Sequence, residues 1–226
     1  MTGTLSVVAT PIGNLEDVTL RALTVLKSVD AIVCETPMVT KKLLAHFDIQ
    51  KPILVWRQRS SNLGGIAERL QRGEHLAYVT DAGTPTISDP GGSLVARIVA
   101  ELPGVTIHPI PGPSALTAAL SIAGVPADRC TFFGFPPLKK GRNRFFEVIA
   151  ELEHTAIFFE GPHRILKSLE QLRLALGTQE RTVIVCRELT KMYESVYRGA
   201  IAEVQEKVAA DPVKGEYTIV VGPVRN

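Results

Sequence analysis

The feature that most constrains this chain is the alternation, through its first half, of short β-branched runs with amphipathic stretches of helix length. Leu5 to Ala9, Ala31 to Cys34, Ile53 to Trp56, Leu76 to Thr80 and Val105 to Ile110 each have strand length and lie between Gly, Pro or Asp residues. Between them, Thr19 to Ser28 carries Leu20, Leu23 and Leu26 at every third position. Thr40 is placed to cap a helix running to Phe47, and Leu63 to Arg72 and Leu94 to Glu101 repeat the plan. Continuous apolar strands separated by helices predict an α/β fold with a largely parallel sheet covered on both faces.

The second half is less regular. Thr155 to Phe159 and Thr182 to Cys186 read as strands, Arg142 to Leu152 and Ile165 to Leu176 as helices, the latter stopped by Gly177. Ser195 to Arg198 and Tyr217 to Val221 read as further strands flanking a helix from Ile201 to Ala210, so this part predicts mixed or antiparallel pairing. The Gly/Pro-rich connection from Pro109 to Pro113 suggests a hinge between two α/β lobes, residues 1–112 and 113–226. A length of 226 residues suits one large domain or two small ones.

Composition excludes several classes. Apolar residues at 45% and charged residues at 21% rule out a disordered polyelectrolyte or a collagen-like chain. The 25 basic and 23 acidic side chains leave +2, so total charge does not announce a nucleic-acid binder. A local patch is compatible with that balance: Lys139 to Arg144 holds four positive charges in six residues, suited to phosphate contact or to a solvated helix start. Cys34, Cys130 and Cys186 have no metal-ligand spacing, which predicts buried, reduced thiols and no metal site. With no basic leader and no apolar run near the ~18 residues of a membrane span, a soluble cytoplasmic protein without membrane association is expected.

Three loops follow predicted strands: Thr10 to Asn14, Asp81 to Pro85 continuing to Ser88-Asp89-Pro90-Gly91-Gly92, and Pro111 to Ser114. Each alone reads as a tight turn. All three on one predicted sheet edge point to a ligand site, since open α/β sheets bind at the carboxyl ends of their strands. No Gly-x-Gly-x-x-Gly opens the first βα unit, and no P-loop or Gly-x-Ser-x-Gly elbow occurs. The second half adds Phe159-Glu160-Gly161-Pro162-His163-Arg164 and Arg187 to Glu194; His163 alone reads as a capping or core histidine.

Taken together, Val8 to Asp17, Thr80 to Pro85 with Ser88 to Gly91, Pro109 to Ser114, Glu160 with Pro162-His163-Arg164, and Arg187 to Lys191 with Glu194 resemble one family. They are similar, in order and spacing, to the small-subunit ribosomal RNA cytidine-2′-O-methyltransferases of the tetrapyrrole methylase superfamily. The resemblance implies two α/β lobes with S-adenosylmethionine in a cleft between them, a homodimer, and ribosomal RNA or the small ribosomal subunit as partner. It implies cofactor contacts from Asp81, Ala82, Gly83, Thr84 and Ser88 to the methionine end, and from Pro11, Ser114, Thr117, Phe159 and Leu189 to the adenosine. Other branches of the superfamily methylate tetrapyrrole or protein acceptors, and a non-catalytic cofactor- or RNA-binding homologue is the remaining alternative.

The chain departs from the family pattern at three places. Glu35-Thr36-Pro37-Met38 stands where the family carries Glu-Asp-Thr-Arg, and Pro136-Pro137-Leu138-Lys139 where it carries Leu-Pro-Arg-Lys. The chain also stops at Asn226, without the C-terminal RNA-binding domain expected of longer members. Methyl transfer from a sulfonium needs alignment and desolvation, and a ribose hydroxyl gains from a nearby base. Glu35, Asp81, Glu188 and Lys191 are the candidate acceptors; Glu35 or Glu188 is favoured for the proton, Arg164 and Lys191 for phosphate contact or orientation.

Overall fold

The computed structural model describes residues 2–57, 59, 60 and 62–224. The chain divides into two compact units, Met1–Ser114 and Ala115–Asn226. The first holds strands β1 (Thr4–Val8), β2 (Ala31–Cys34), β3 (Ile53–Val55), β4 (His75–Val79) and β5 (Thr106–Ile110), with helices α1 (Leu20–Ser28), α2 (Pro37–His46), α3 (Gly65–Gln71) and α4 (Gly91–Glu101). All its strand pairs are parallel, in the order β3-β2-β4-β1-β5.

The period-two geometry of a strand explains why these runs lack polar alternation. Leu76 and Tyr78 of β4 face one apolar cluster with Leu70, Leu94 and Ile98, while Ala77 and Val79 face another with Ala22, Leu26 and Leu44. Both faces are buried, so both sets of side chains are apolar. Each fully buried Leu or Ile contributes about 1.5–3 kcal/mol to that core.

Two helices start earlier than their apolar pattern suggests. Helix α2 begins at Pro37 rather than at a Thr40 cap, because proline at the first helical position has a suitable φ and no N–H to leave unsatisfied. Thr40 lies inside the helix and is buried. Helix α4 begins at Gly91, three residues before Leu94, through two glycines that carry no apolar signal.

The second unit holds α5 (Ala115–Ala123), β6 (Cys130–Phe132), α6 (Arg142–Glu151), β7 (Thr155–Glu160), α7 (Ile165–Leu176), β8 (Val183–Arg187), β9 (Ser195–Gly199), α8 (Ile201–Ala210) and β10 (Tyr217–Val221). Its sheet has the order β6-β7-β10-β8-β9, with β6 parallel to β7 and the remaining pairs antiparallel. The mixed pairing expected of this half is present, and β6 is an additional strand. Phe146, Phe158, Leu169, Leu172, Val185 and Ile219 are in its core.

Buried Arg181 joins three segments of this unit, with no acidic partner among the described residues. Its guanidinium donates to the carbonyls of Gly222 (2.6 Å), Ile149 and Leu152 (both 2.9 Å) and His154 (3.0 Å), closing the end of α6. Cys34 and Cys186 are buried as expected, whereas Cys130 is exposed because it opens the edge strand β6. Among the described residues, no helix is long and apolar enough to cross a membrane.

Candidate functional site

In the first unit, strand order brings distant loops together. The carboxyl ends of β2, β4, β1 and β5 are consecutive neighbours, so the residues leaving them line one rim. Thr10 and Gly83 form a two-bond bridge: the Thr10 N–H donates to the Gly83 carbonyl at 2.9 Å, and the Gly83 N–H returns to Thr10 at 3.0 Å. The Thr84 hydroxyl donates to the Pro113 carbonyl at 3.0 Å. The three Gly/Pro loops are thus tied to one another.

Gly83 is required at that bridge. Its φ is +83°, and a Cβ would stand 3.2 Å from Ile12 Cγ2. Pro11, Ile12 and Gly83 are buried under the rim, Thr84 is half-buried, and Asp81, Ala82 and Ser88 are exposed on it. Thr86 and Ser88 adopt positive φ values of 76° and 63°, local strain of the kind that accumulates at ligand sites. Ser114 is half-buried just before α5, and Thr117 is exposed on α5 in the second unit.

The rim is acidic. Glu35 leaves β2, and the Thr36 hydroxyl donates to Asp81 Oδ2 at 2.7 Å. Asp89 Oδ1 accepts from the Gly91 N–H at 2.6 Å and from the Tyr78 hydroxyl at 3.4 Å, while its Oδ2 is buried with no hydrogen-bond partner. Burial raises the Glu35 carboxyl above its ordinary range, and the charges of Asp81 and Asp89 push it further. Burial, with the neighbouring acids behind it, also keeps the Tyr78 phenol protonated. A buried carboxylate oxygen without a donor suits a ligand that brings N–H groups and positive charge. S-adenosylmethionine has both, and Asp81 and Asp89, with the exposed Ala82, half-buried Thr84 and exposed Ser88 beside the Gly83 turn, could hold it. Among the described residues, no group of three or more His, Cys, Asp and Glu is arranged to hold a metal ion.

The second unit carries two polar clusters. Glu160, buried at the end of β7, receives Arg164 at 2.8 Å, Arg142 at 3.3 Å, the Ser168 hydroxyl at 2.6 Å and the Gly161 N–H at 2.8 Å. Arg142 therefore belongs to the interior, and it also bonds Gln171 and the Pro137 carbonyl. Of the basic run, Arg144 is paired with Glu151 and Glu147, while Lys139 and Lys140 are exposed. His163 is exposed in the turn before α7, neither in the core nor the N-cap, a position Arg164 holds. Phe159 is half-buried, with its ring 4.8 Å from Phe132 and 5.6 Å from Phe135.

Leu189 is buried between two residues at positive φ, Glu188 (51°) and Thr190 (65°). Lys191 Nζ donates to Glu188 at 2.9 Å and to Glu216 at 2.8 Å, and the Glu216 N–H also reaches Glu188 at 2.9 Å. Burial works to raise the Glu188 pKa, but Lys191, the Glu216 N–H and Arg187 outweigh it and hold the carboxyl below its ordinary range. Burial likewise works to lower Lys191, and its two carboxylate partners reverse that. This pair is locked as ions, whereas Glu35 is an acid with a raised affinity for a proton.

Sequence reasoning noted Thr36 only as a departure from the family pattern and did not single out Tyr78 or Glu216. Their partners lie 45, 11 and 28 residues away, so no local spacing reports them. Asp89 stood in a quoted motif, where Asp-Pro-Gly-Gly reads equally as a helix start.

Residues 4–205 match the family of tetrapyrrole (corrin/porphyrin) methylases. The chain is 45% identical over 226 residues to ribosomal RNA small subunit methyltransferase I of Xylella fastidiosa, covering 97% of this chain and 81% of the relative. Against the protein of the same name from Thermotoga maritima it is 39% identical over 220 residues, covering 96% and 97%. Two solved structures share the fold. A cobalamin biosynthetic enzyme, cobalt precorrin-4 methyltransferase, superposes with a TM-score of 0.68 at 17% identity, covering 97% of this chain and 94% of that one. Uroporphyrin III C-methyltransferase from Thermus thermophilus gives 0.67 at 16% identity, covering 97% of each chain.

Proposed function

Because the chain belongs to the tetrapyrrole methylase family, in its small-subunit ribosomal RNA methyltransferase branch, we propose that it methylates the 2′-hydroxyl of a cytidine ribose in small-subunit ribosomal RNA. When bound, S-adenosylmethionine supplies an electrophilic methyl group. The observation that carries the donor half of this reading is the acidic rim, where Glu35, Asp81 and the unpaired Asp89 oxygen surround the exits of neighbouring strands. The ribosomal RNA acceptor follows the names of the relatives, while the cytidine 2′-hydroxyl, a homodimer and a cytoplasmic setting follow the resemblance read in the sequence motifs.

In this reading Asp81 to Thr84 and Ser88 hold the methionine end of the donor, with Pro11 and Ser114 placed for its adenosine; the roles of Thr117, Phe159 and Leu189 rest on the resemblance alone. Glu35 accepts the hydroxyl proton. Its burial and acidic neighbours favour the protonated form, which is what a proton acceptor needs at the end of transfer. Glu188 is the weaker acceptor, being stabilised as an anion by Lys191. Lys191 faces two carboxylates and Arg164 one, so in this reading neither carries a phosphate contact.

The test is transfer of a labelled methyl group into undermethylated small ribosomal subunits, followed by alkaline hydrolysis of the RNA. A 2′-O-methyl group blocks attack on the adjacent phosphodiester, so label in an alkali-resistant dinucleotide beginning with cytidine is the expected result. Label in alkali-sensitive nucleotides overturns the ribose assignment. Label only in a tetrapyrrole or protein fraction overturns the RNA acceptor.

A further inference from the structure

Thr36 immediately precedes α2 and occupies its N-cap position. A threonine there ordinarily turns its hydroxyl oxygen onto a free N–H of the first turn, an interaction worth about 1 kcal/mol. Here the side chain makes no cap hydrogen bond. It donates instead to Asp81 Oδ2 at 2.7 Å, across the exits of two adjacent strands. The first turn bears the loss, because the Val39 and Thr40 N–H groups reach the Thr36 carbonyl at 3.1 and 3.2 Å and Pro37 brings no N–H of its own.

The Asp81 carboxylate needs such a restraint. It is exposed, and its charge acts on Glu35 together with that of Asp89, so repulsion among these acids favours swinging it into solvent. A hydroxyl can donate to a carboxylate, whereas the aspartate that the family pattern carries at this position can only accept. Met38, two residues on, is largely exposed and brings no cation to the rim. The neutral Thr36 donor is therefore what holds Asp81 in this chain.

We propose that Thr36 is a positioning residue that fixes the Asp81 carboxylate in the orientation that receives the methyl donor. The inference rests on the donor site assigned above.

Calorimetric titration with S-adenosylmethionine tests it on the parent chain, Thr36→Val, Thr36→Ser, Asp81→Ala and the double variant Thr36→Val/Asp81→Ala. Valine keeps the shape and removes the donor, and its expected effect is about a tenfold loss of affinity, the scale of one hydrogen bond to a charged group. Serine restores the hydroxyl and binds as the parent does. In the Asp81→Ala background, Thr36→Val changes nothing further, whereas a merely structural role of Thr36 would weaken binding in both backgrounds. Parent-like binding by Thr36→Val, weakened binding by Thr36→Ser, or an additive loss in the double variant each overturns the proposal. Parent-like binding by Asp81→Ala overturns the donor site itself, an outcome distinct from the other three.

Discussion

The guanidinium of Arg164 lies 2.8 Å from Oε1 of Glu160, a carboxylate with only 1% of its surface exposed. Arg142 approaches the other oxygen at 3.3 Å, so one buried anion answers two cations from separate segments. Glu160→Gln keeps the shape but leaves Arg142 buried beside a neutral amide. The expected cost is about 3–5 kcal/mol, as for breaking other buried pairs, read from urea unfolding. Arg164→Ala should also lower the unfolding midpoint, because its first partner is this carboxylate. The salt dependence of RNA binding should change little in that variant, since a lost phosphate contact would lower the slope by about 0.7 on single-stranded RNA.

Arg181 makes a second prediction in the same unit. It fills four carbonyl acceptors from a site where only 4% of its surface is exposed, and burial weakens its hold on its proton without displacing it. Arg181→Met leaves those carbonyls short of donors, which should cost about 3 kcal/mol or more. Arg181→Lys should recover only part of the loss, because a single ammonium cannot reproduce the guanidinium's planar fork. Urea titration with tryptophan-independent far-UV dichroism reads both variants, since the lone Trp56 sits in the other unit.

These two arginines show where the sequence was readable and where it was not. The Gly/Pro loops after β1, β4 and β5 were legible because Pro11, Gly83 and Pro113 punctuate the chain locally, and parallel strands put successive loops on one edge. That Glu35 faces Asp81 was not, because it depends on β4 inserting between β1 and β2 in the sheet. Arg142 read as one charge in a basic run; its burial is decided by Glu160, 18 residues later, and by Phe146 beneath its guanidinium at 5.5 Å. Strand β6 has three residues, none of them buried, so it has no apolar run to announce it.

The Glu188–Lys191–Glu216 cluster predicts a pH window. Burial opposes both charges, but their mutual contacts prevail, leaving Glu188 with a lowered pKa and Lys191 with a raised one. Stability from Glu188 is present above the unfolded carboxylate pKa and is lost as pH falls through its lower folded value. Stability from Lys191 is present below the unfolded lysine pKa and is lost as pH rises through its higher folded value. Lys191→Met should therefore lower the melting temperature most at mid-range pH, with the parent and variant curves converging towards acid and alkaline pH, where the parent has lost the same stabilisation. The mid-plateau decrease should be about 1 kcal/mol, because the lysine is partly exposed, and thermal melts between acid and alkaline pH measure it.

Glu35 has the opposite sign. Its folded pKa is raised, chiefly by burial and then by Asp81 and Asp89, so between the unfolded and folded values the folded chain keeps a proton that the unfolded chain releases. Stability from this group is present below the unfolded carboxylate pKa and is lost as pH rises through the higher folded value. Glu35→Gln removes the penalty of ionising a crowded carboxylate and should melt at or above the parent temperature at neutral pH, with methyl transfer reduced about 10²–10⁴-fold if it is the proton acceptor. The acid limb of the parent pH–rate profile should lie above the ordinary glutamate range and vanish in the variant's residual activity. Parental turnover by Glu35→Gln, with the same acid limb, would remove Glu35 from the reaction and return the proton to Glu188 or to solvent.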